Sequence, residues 1–526
     1  MKNTIKLSVM TVMVILLNSA CVKDLDRVPF VEVTSASIYK DPANYKGLLA
    51  KIYAGFAISG QEGPAGKPDI TGIDEGFSTY LRQYWKAQEL TTDEAVVGWN
   101  DGSIKDYHNM VWGDKNEFVA AMYNRIFYQI VLCNEFIRET TDAKLAERGI
   151  TIPEVKAFRA EVRFLRALSY YHAMDMFANT PFVTDADAVG SALPRQTNRA
   201  ELFSYIESEC RAIEGDLKPA RTNGYGRADQ ACVNMLLAKL YLNAQIYIGT
   251  AKNNECVDAC KKVIGGGFVL DKEYRTLFML ENETSKEVIF PICFDGTRTK
   301  TYGGMTFLLH APVGGSMKAA EFGINGGWAG LRTTSAFVKL FADPTGATDK
   351  RAMFYTDGQN LEIADIGKFT DGYAIAKYKN VDLKGKAGSD PKGDFPDTDF
   401  PMFRLADAYL MYAEAVVRGA TTGDRATALG YCNALRERAY ASKAGNIADA
   451  AMNLDYMLAE RGRELQWECH RRTDLIRFGK FTTAAYLWPY KGGAKDGAAV
   501  SDDLNIFPIP AADLNANPNL KQNKGY

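Results

Sequence analysis

Along several long stretches of the chain, apolar residues recur every three or four positions, the period of an amphipathic helix. Between 157 and 177 this spacing puts Phe164, Leu168 and Tyr171 on one face. Between 229 and 248 it groups Ala231, Met235, Ala238 and Leu242, and between 403 and 418 it groups Leu405, Tyr409, Tyr412 and Val416. A fourth stretch, 454–481, carries Leu454, Leu458 and Leu465 on one face but is too charged for a plain core helix. Glu460 and Glu464 can there lace the other face with ion pairs about one turn apart. Gly462 falls mid-helix, where glycine costs about 1 kcal/mol against alanine. The stretch therefore reads as a helix knitted to its neighbours by arginines, with a neighbouring element closely approaching Gly462. Elsewhere the pattern changes. Residues 59–113 repeat Gly, Asp and aromatics, and residues 265–400 are rich in Gly, Thr and Asp, with short strand-like runs such as Val288-Ile289-Phe290-Pro291-Ile292. Irregular segments this long inside a compact domain are usually functional. The prolines in 507–510 and 515–520 argue against helix or central strand and predict an ordered strap.

These elements predict a mainly α fold, a helical scaffold with a large irregular, loop-rich lobe packed on it; the helices resemble tetratricopeptide-like pairs, a likeness that their irregular period does not carry alone and that the family resemblance given below implies. The scaffold is expected mainly over 115–250 and 400–480, and the lobe mainly over 59–113 and 265–400, within a single domain spanning 41–526. Composition agrees, with 47% hydrophobic and 24% charged residues. The net charge of -2 offers no basic field for nucleic acid. Four histidines (His108, His172, His310, His470), none close to another in sequence, are few for a metal–imidazole enzyme. The cysteines show no CxxC pair or zinc spacing and read as buried free thiols.

The first twenty residues read as an export leader: Lys2 and Lys6, an apolar run from Leu7 to Leu17, then Ser19-Ala20 before Cys21. The run is too short to span a bilayer comfortably. A cysteine at that position resembles a bacterial lipoprotein signal, in which Cys21 would be lipidated and become the new N-terminus; Asn18 departs from that pattern. Residues 21–40 would then form a lipidated tether. Val22-Lys23-Asp24-Leu25-Asp26 resembles a surface-export signal, so display on the cell exterior is expected.

The wording of residues 458–481 closely resembles the C-terminal signature of the SusD/RagB family of outer-membrane glycan-binding lipoproteins. The resemblance extends over essentially the whole mature chain. It includes Asp74-Glu75-Gly76, Thr92-Asp93-Glu94, the helical run from Ala160 to Leu168, Tyr302-Gly303-Gly304, Gly327-Trp328, Phe369-Thr370-Asp371-Gly372 and Pro396-Asp397-Thr398-Asp399. In the starch-binding branch of the family an arc of aromatics holds a curved glucan. The matching positions here are Trp99, Tyr302 and Trp328, with Asp74 and Arg82 as hydrogen-bonding groups. A sugar's C–H face stacks on an aromatic face, at roughly 1 kcal/mol per contact. Two departures bear on the ligand. An asparagine of the starch binders aligns with Gly102, leaving Asn100 or Asp101 to substitute, and a tryptophan is replaced by Val97.

Asp397 and Asp399, two apart on a proline-flanked loop, suit either a hard cation such as calcium or a solvated turn. The resemblance implies calcium, with Glu283 and Asn505 as further ligands; no other cofactor is required. It also implies a lid over a TonB-dependent, SusC-like outer-membrane transporter. No GxSxG elbow, Walker loop or HExxH run is present. The expected function is non-catalytic capture of starch or maltooligosaccharide. The alternatives are another glucan such as dextran or pullulan in the same role, or a surface glycoside hydrolase.

Overall fold

The computed structural model describes residues 35–64, 66–190 and 193–526. The leader, Cys21 and most of the expected tether lie outside the described residues.

Among the described residues, twelve of the α-helices carry the fold: α1 (Asn44–Ala54), α2 (Tyr80–Glu89), α3 (Glu117–Glu139), α4 (Val155–Phe177), α5 (Arg199–Ile213), α6 (Gln230–Leu242), α7 (Asn253–Ile264), α8 (Gly304–His310), α9 (Leu405–Val417), α10 (Arg425–Tyr440), α11 (Leu454–Leu465) and α12 (Arg471–Arg477). Their starts follow side-chain chemistry. Asn116, Asn198, Asp229, Asp424 and Asn453 each cap a helix by accepting backbone N–H groups of its first turn. Successive helices pack side by side: α3 on α4, α4 on α5, α6 on α7, α7 on α9, α9 on α10 and α11. This is the expected helical-pair scaffold. Polar residues of the run from Ala160 to Leu168 tie it together, with Arg166 bonding Glu209 at 2.9 Å and Asp185 at 2.6 Å.

The lobe is held by short ladders. β1 (Val96–Val97) pairs antiparallel with β3 (Leu331–Arg332), and β2 (Val288–Ile292) pairs antiparallel with β4 (Phe400–Arg404). The 59–113 segment is less irregular than its composition suggests, since it contains α2, all ten of whose residues are buried. No helix among the described residues is long and apolar enough to cross a membrane.

The charged stretch departs from a continuous helix. α11 ends at Leu465 and α12 begins at Arg471. In the joint between them Trp467 and Cys469 take left-handed backbone (φ 59° and 65°). The joint is fixed by capture: the Trp467 amide donates to Glu94 Oε2 at 2.6 Å and the His470 amide to Glu89 Oε1 at 3.0 Å. Glu460 and Glu464 are both fully buried, and arginines knit the helix to its neighbours as expected. Arg351, Arg436 and Arg463 bond Glu460, while Arg351, Arg404 and Arg438 bond Glu464. Gly462 is closely approached as expected: a Cβ there would lie 2.8 Å from Arg471 Nη1 and 3.1 Å from Leu340 Cδ1.

The C-terminal strap is ordered, the Phe507 amide donating to Met176 O at 2.7 Å. A short helix, Ala511–Ala516, nevertheless forms inside it and stops two residues before Pro518. Of the eight described cysteines, all free, seven are buried and Cys293 is exposed.

Candidate functional site

The β1–β3 ladder builds the centre of the site. Its register, Val96 opposite Arg332 and Val97 opposite Leu331, continues through the Gly98 amide to Gly330 O at 3.0 Å. Trp99 is thereby set beside Trp328. The Trp99 indole N–H donates to Trp328 O at 3.1 Å, and the two rings lie 6.4 Å apart, tilted by 49°. Gly330 makes this approach feasible, because a Cβ there would sit 2.1 Å from Trp99 Cε2. Val97 is fully buried in β1, a core residue of the ladder.

Helix α8 spaces the remaining aromatic. Trp328 N donates to His310 O at 2.8 Å at the C-terminal end of α8, and the His310 ring stacks on Trp328 with centroids 5.0 Å apart and 25° between planes. Tyr302 stands just before the other end. Seven helical residues rise about 10 Å, so the helix sets two aromatics apart by the length of a few sugar rings. Tyr302 is 39% exposed and is backed by Phe395 at 5.6 Å. It rests on Gly76, where a Cβ would come within 2.8 Å of Tyr302 Cβ.

Arg82 is placed differently from a free glucose donor. It is buried in α2, sandwiched between Phe77 and Phe307 at 4.5 and 4.4 Å, and its Nη1 donates to Gly76 O at 3.2 Å and Tyr302 O at 3.3 Å. Burial lowers its pKa to about 9, against the pull of Asp101, Asp74 and Glu75. Arg82 therefore props the Tyr302 backbone. Asp74 is exposed, and its Oδ1 accepts the amides of Gly76 (2.9 Å) and Phe77 (3.4 Å). Asn100 and Asp101 are exposed, and Asn100 Oδ1 accepts from Lys105 Nζ. Gly102 has left-handed backbone (φ 46°), and a Cβ there would lie 1.6 Å from Glu117 Oε1. A carboxylate thus fills the space an asparagine side chain would need.

Sequence reasoning missed Glu117, His310, Phe307 and Phe395. Glu117 was detectable only as an acid in the first turn of a helix. The other three lie under the site and carry no local signal. Glu75, next to Asp74, is buried and has its carboxyl pushed up by that burial, and its Oε1 accepts from Ser59 Oγ at 2.9 Å.

The four residues implied for calcium are not assembled as a set. Asp397 Oδ1 accepts from the Gly296 amide (2.8 Å) and Ser389 Oγ (2.7 Å), and Asp399 accepts from the Phe294 amide (2.7 Å) and the Tyr225 hydroxyl. Burial raises Asp399 to about 7, helped by the nearby charges of Glu283 and Asp397. Asn505 sits instead on the C-terminal strap, where its carbonyl accepts from Arg472 Nη2 at 2.6 Å. Among the described residues no group of three or more His, Cys, Asp or Glu is positioned to hold a metal ion.

A helical scaffold that sets an exposed tyrosine and two half-buried tryptophans beside exposed polar residues has the make-up of a carbohydrate-binding protein. Residues 342–526 match the model of the SusD family. The chain is 34% identical to the starch-binding protein SusD of Bacteroides thetaiotaomicron, covering 97% of this chain and 96% of that protein. It is 26% identical to the SusD-like protein P25 of Formosa agariphila over 70% of this chain and 73% of that one. Among solved structures, a surface glycan-binding protein A from Bacteroides fluxus superposes with a TM-score of 0.70 at 19% identity, over 92% of this chain and all of that one. A laminarin-binding SusD-like protein gives 0.69 at 20%, over 93% of this chain and all of that one. The chain belongs to the SusD family, whose members bind carbohydrate without catalysis.

Proposed function

We propose that the protein captures starch-type α-glucan at the outer surface of the cell, anchored through a lipidated Cys21, and delivers it as a lid to a TonB-dependent, SusC-like transporter in the outer membrane. The observation that carries this reading is the placement of Trp99, Trp328 and Tyr302. Two tilted indoles, the Trp99 N–H donating to the Trp328 backbone carbonyl, lie at one end of α8, and an exposed tyrosine lies at the other. A fixed, curved set of platforms suits a helical α-1,4-glucan better than a flat ribbon. Whole-length identity to a starch-binding protein supports the same ligand. With roughly 1 kcal/mol per platform and a few solvent-competed hydrogen bonds, affinity falls in the micromolar to millimolar range.

A second reading keeps the role and changes the glucan to pullulan or dextran. It is favoured by Gly102 and Val97, which remove two side chains that the starch binders present. Calorimetric titration with maltoheptaose, a cyclic maltooligosaccharide and dextran tests both. Binding to the first two alone supports starch, and binding to dextran alone supports the second reading. Co-purification with a β-barrel transporter tests the lid role, and its absence from solubilised membranes would refute it.

A further inference from the structure

The imidazole of His310 faces two carbonyl oxygens at once. Nδ1 lies 2.6 Å from Gly326 O and Nε2 lies 3.0 Å from Asp394 O. A neutral imidazole has one N–H and can donate to only one of them; the imidazolium donates to both. The two carbonyls belong to different loops. Gly326 is two residues before Trp328, which stacks on the same imidazole. Asp394 is next to Phe395, which backs Tyr302. His310 is therefore the link between the supports of two glycan platforms at opposite ends of α8.

We propose that His310 is a positioning residue that sets the relative placement of Trp328 and Tyr302, and that its protonation completes this link and tightens glucan binding. The proposal rests on the glucan reading above. The charged groups around it are few. The Asp394 carboxylate acts on the ring and is held by Asn325 Nδ2. Asp390 accepts the amides of Asp394 (2.9 Å) and Phe395 (3.1 Å) and is itself influenced by Lys300. Burial lowers the pKa of His310, while its bonds to Gly326 and Asp394 and the Asp394 charge oppose that; the net direction is downward. Protonation consequently falls on the acid side of the ordinary imidazole value. At neutral pH one carbonyl lacks its donor, and on acidification both loops are tied.

Two measurements on the purified protein test this. The first needs no sugar. Imidazolium in ring contact quenches indole fluorescence, so wild-type emission should fall on acidification below about pH 6.5, and the fall should be absent in Trp328→Phe and in His310→Gln. The second is affinity for maltoheptaose against pH. Wild type should bind about threefold to tenfold more tightly once the second hydrogen bond forms, while His310→Gln should show a flat profile. If His310→Gln kept the pH dependence of affinity, or if the acid quench persisted in Trp328→Phe, the proposal would be overturned. Should His310→Gln fail to fold, wild-type affinity that does not tighten on acidification still overturns the proposal. Absence of maltoheptaose binding at every pH would refute the glucan reading and the affinity effect together, whereas the fluorescence titration alone reports the His310 link.

Discussion

Substituting Gly330 with alanine perturbs the proposed glycan platform without removing any aromatic ring. Gly330 has no positive φ, so its backbone accepts alanine. The added Cβ would lie 2.1 Å from Cε2 and 2.2 Å from Cζ2 of Trp99. Carbon atoms at rest stand about 3.5–4.0 Å apart, so the indole must move by more than 1 Å. That displacement breaks the Trp99 N–H bond to Trp328 O and changes the 49° tilt between the rings. Losing one stacked sugar forfeits about 50 Å² of apolar burial, roughly 1 kcal/mol or about a fivefold weaker Kd. The overpacked ring should also cost about 1–3 kcal/mol of stability. Calorimetry with maltoheptaose should show Gly330→Ala and Trp99→Ala weakened to a similar degree, and their double variant no weaker than either alone. Thermal melting separates the stability effect from the affinity effect. If both single variants bound maltoheptaose as tightly as wild type, Trp99 would not be a platform, and the site built from the β1–β3 ladder would be wrong.

Arg82→Met should free the Tyr302 carbonyl and weaken glucan binding by roughly a factor of ten through loss of positioning and a charge-assisted bond; unchanged affinity would assign Arg82 a purely structural role. Stability should fall in acid. Burial would raise Glu464 and Glu414, but Arg438, Arg404 and Arg351 outweigh it for the first, and Arg477, Arg418 and Arg461 for the second, holding both at about 2. Their contribution, on the order of 3 kcal/mol each, is present above the ordinary glutamate value of 4.5 and is lost as pH drops from there toward 2; denaturant titrations across that window would show it, and a flat profile would refute it. Because amide and hydroxyl donors already occupy Asp397 and Asp399, chelating calcium should leave the melting temperature unchanged, and a fall of several degrees would restore the cation reading. Arg404→Met removes the arginine that bonds Glu287, Glu464 and Glu468 together, leaving Arg438 on the first two and Lys377 on the third, and should cost about 3–5 kcal/mol; a melting temperature equal to wild type would count against the buried network.

The helices were legible because their faces repeat at the helical period and their caps are written in Asn and Asp. Trp99, Tyr302 and Trp328 were picked out as candidate platforms only by resemblance. Nothing in the local pattern of Trp99 or Trp328 says that a two-residue ladder joins positions more than 200 apart. The break at Gln466 was not legible either. The local sequence continues in helical period, and the left-handed Trp467 and Cys469 are imposed by carboxylates from 89 and 94. The surroundings of Glu460 and Glu464 were legible in part: the stretch reads as knitted to its neighbours by arginines, and four arginines from distant segments and one from the same turn surround these carboxylates. Which arginines these are, and that the carboxylates are fully buried, is set by distant chain segments and carries no local signal.

That buried network bears on the site itself. Arg471 grips Asp93 through two bonds of 2.8 Å, the Trp467 indole donates to Glu94 O at 3.0 Å, and Thr334 donates to Asp93 O at 2.6 Å. Residues 93 and 94 stand three and two positions before β1, and Thr334 stands two after β3. The charged signature therefore clamps both strands of the ladder that carries Trp99 and Trp328. Individual sugar contacts of about 1 kcal/mol add up to useful affinity only if ordering the platforms is not charged against them at binding. Platforms hung on long Gly-rich loops would otherwise lose much of that energy to ordering, at about 0.5–1.5 kcal/mol per immobilised side chain. The helical scaffold and its ion pairs, which make no contact with sugar in this reading, supply the rigidity that lets three weak contacts act as one site.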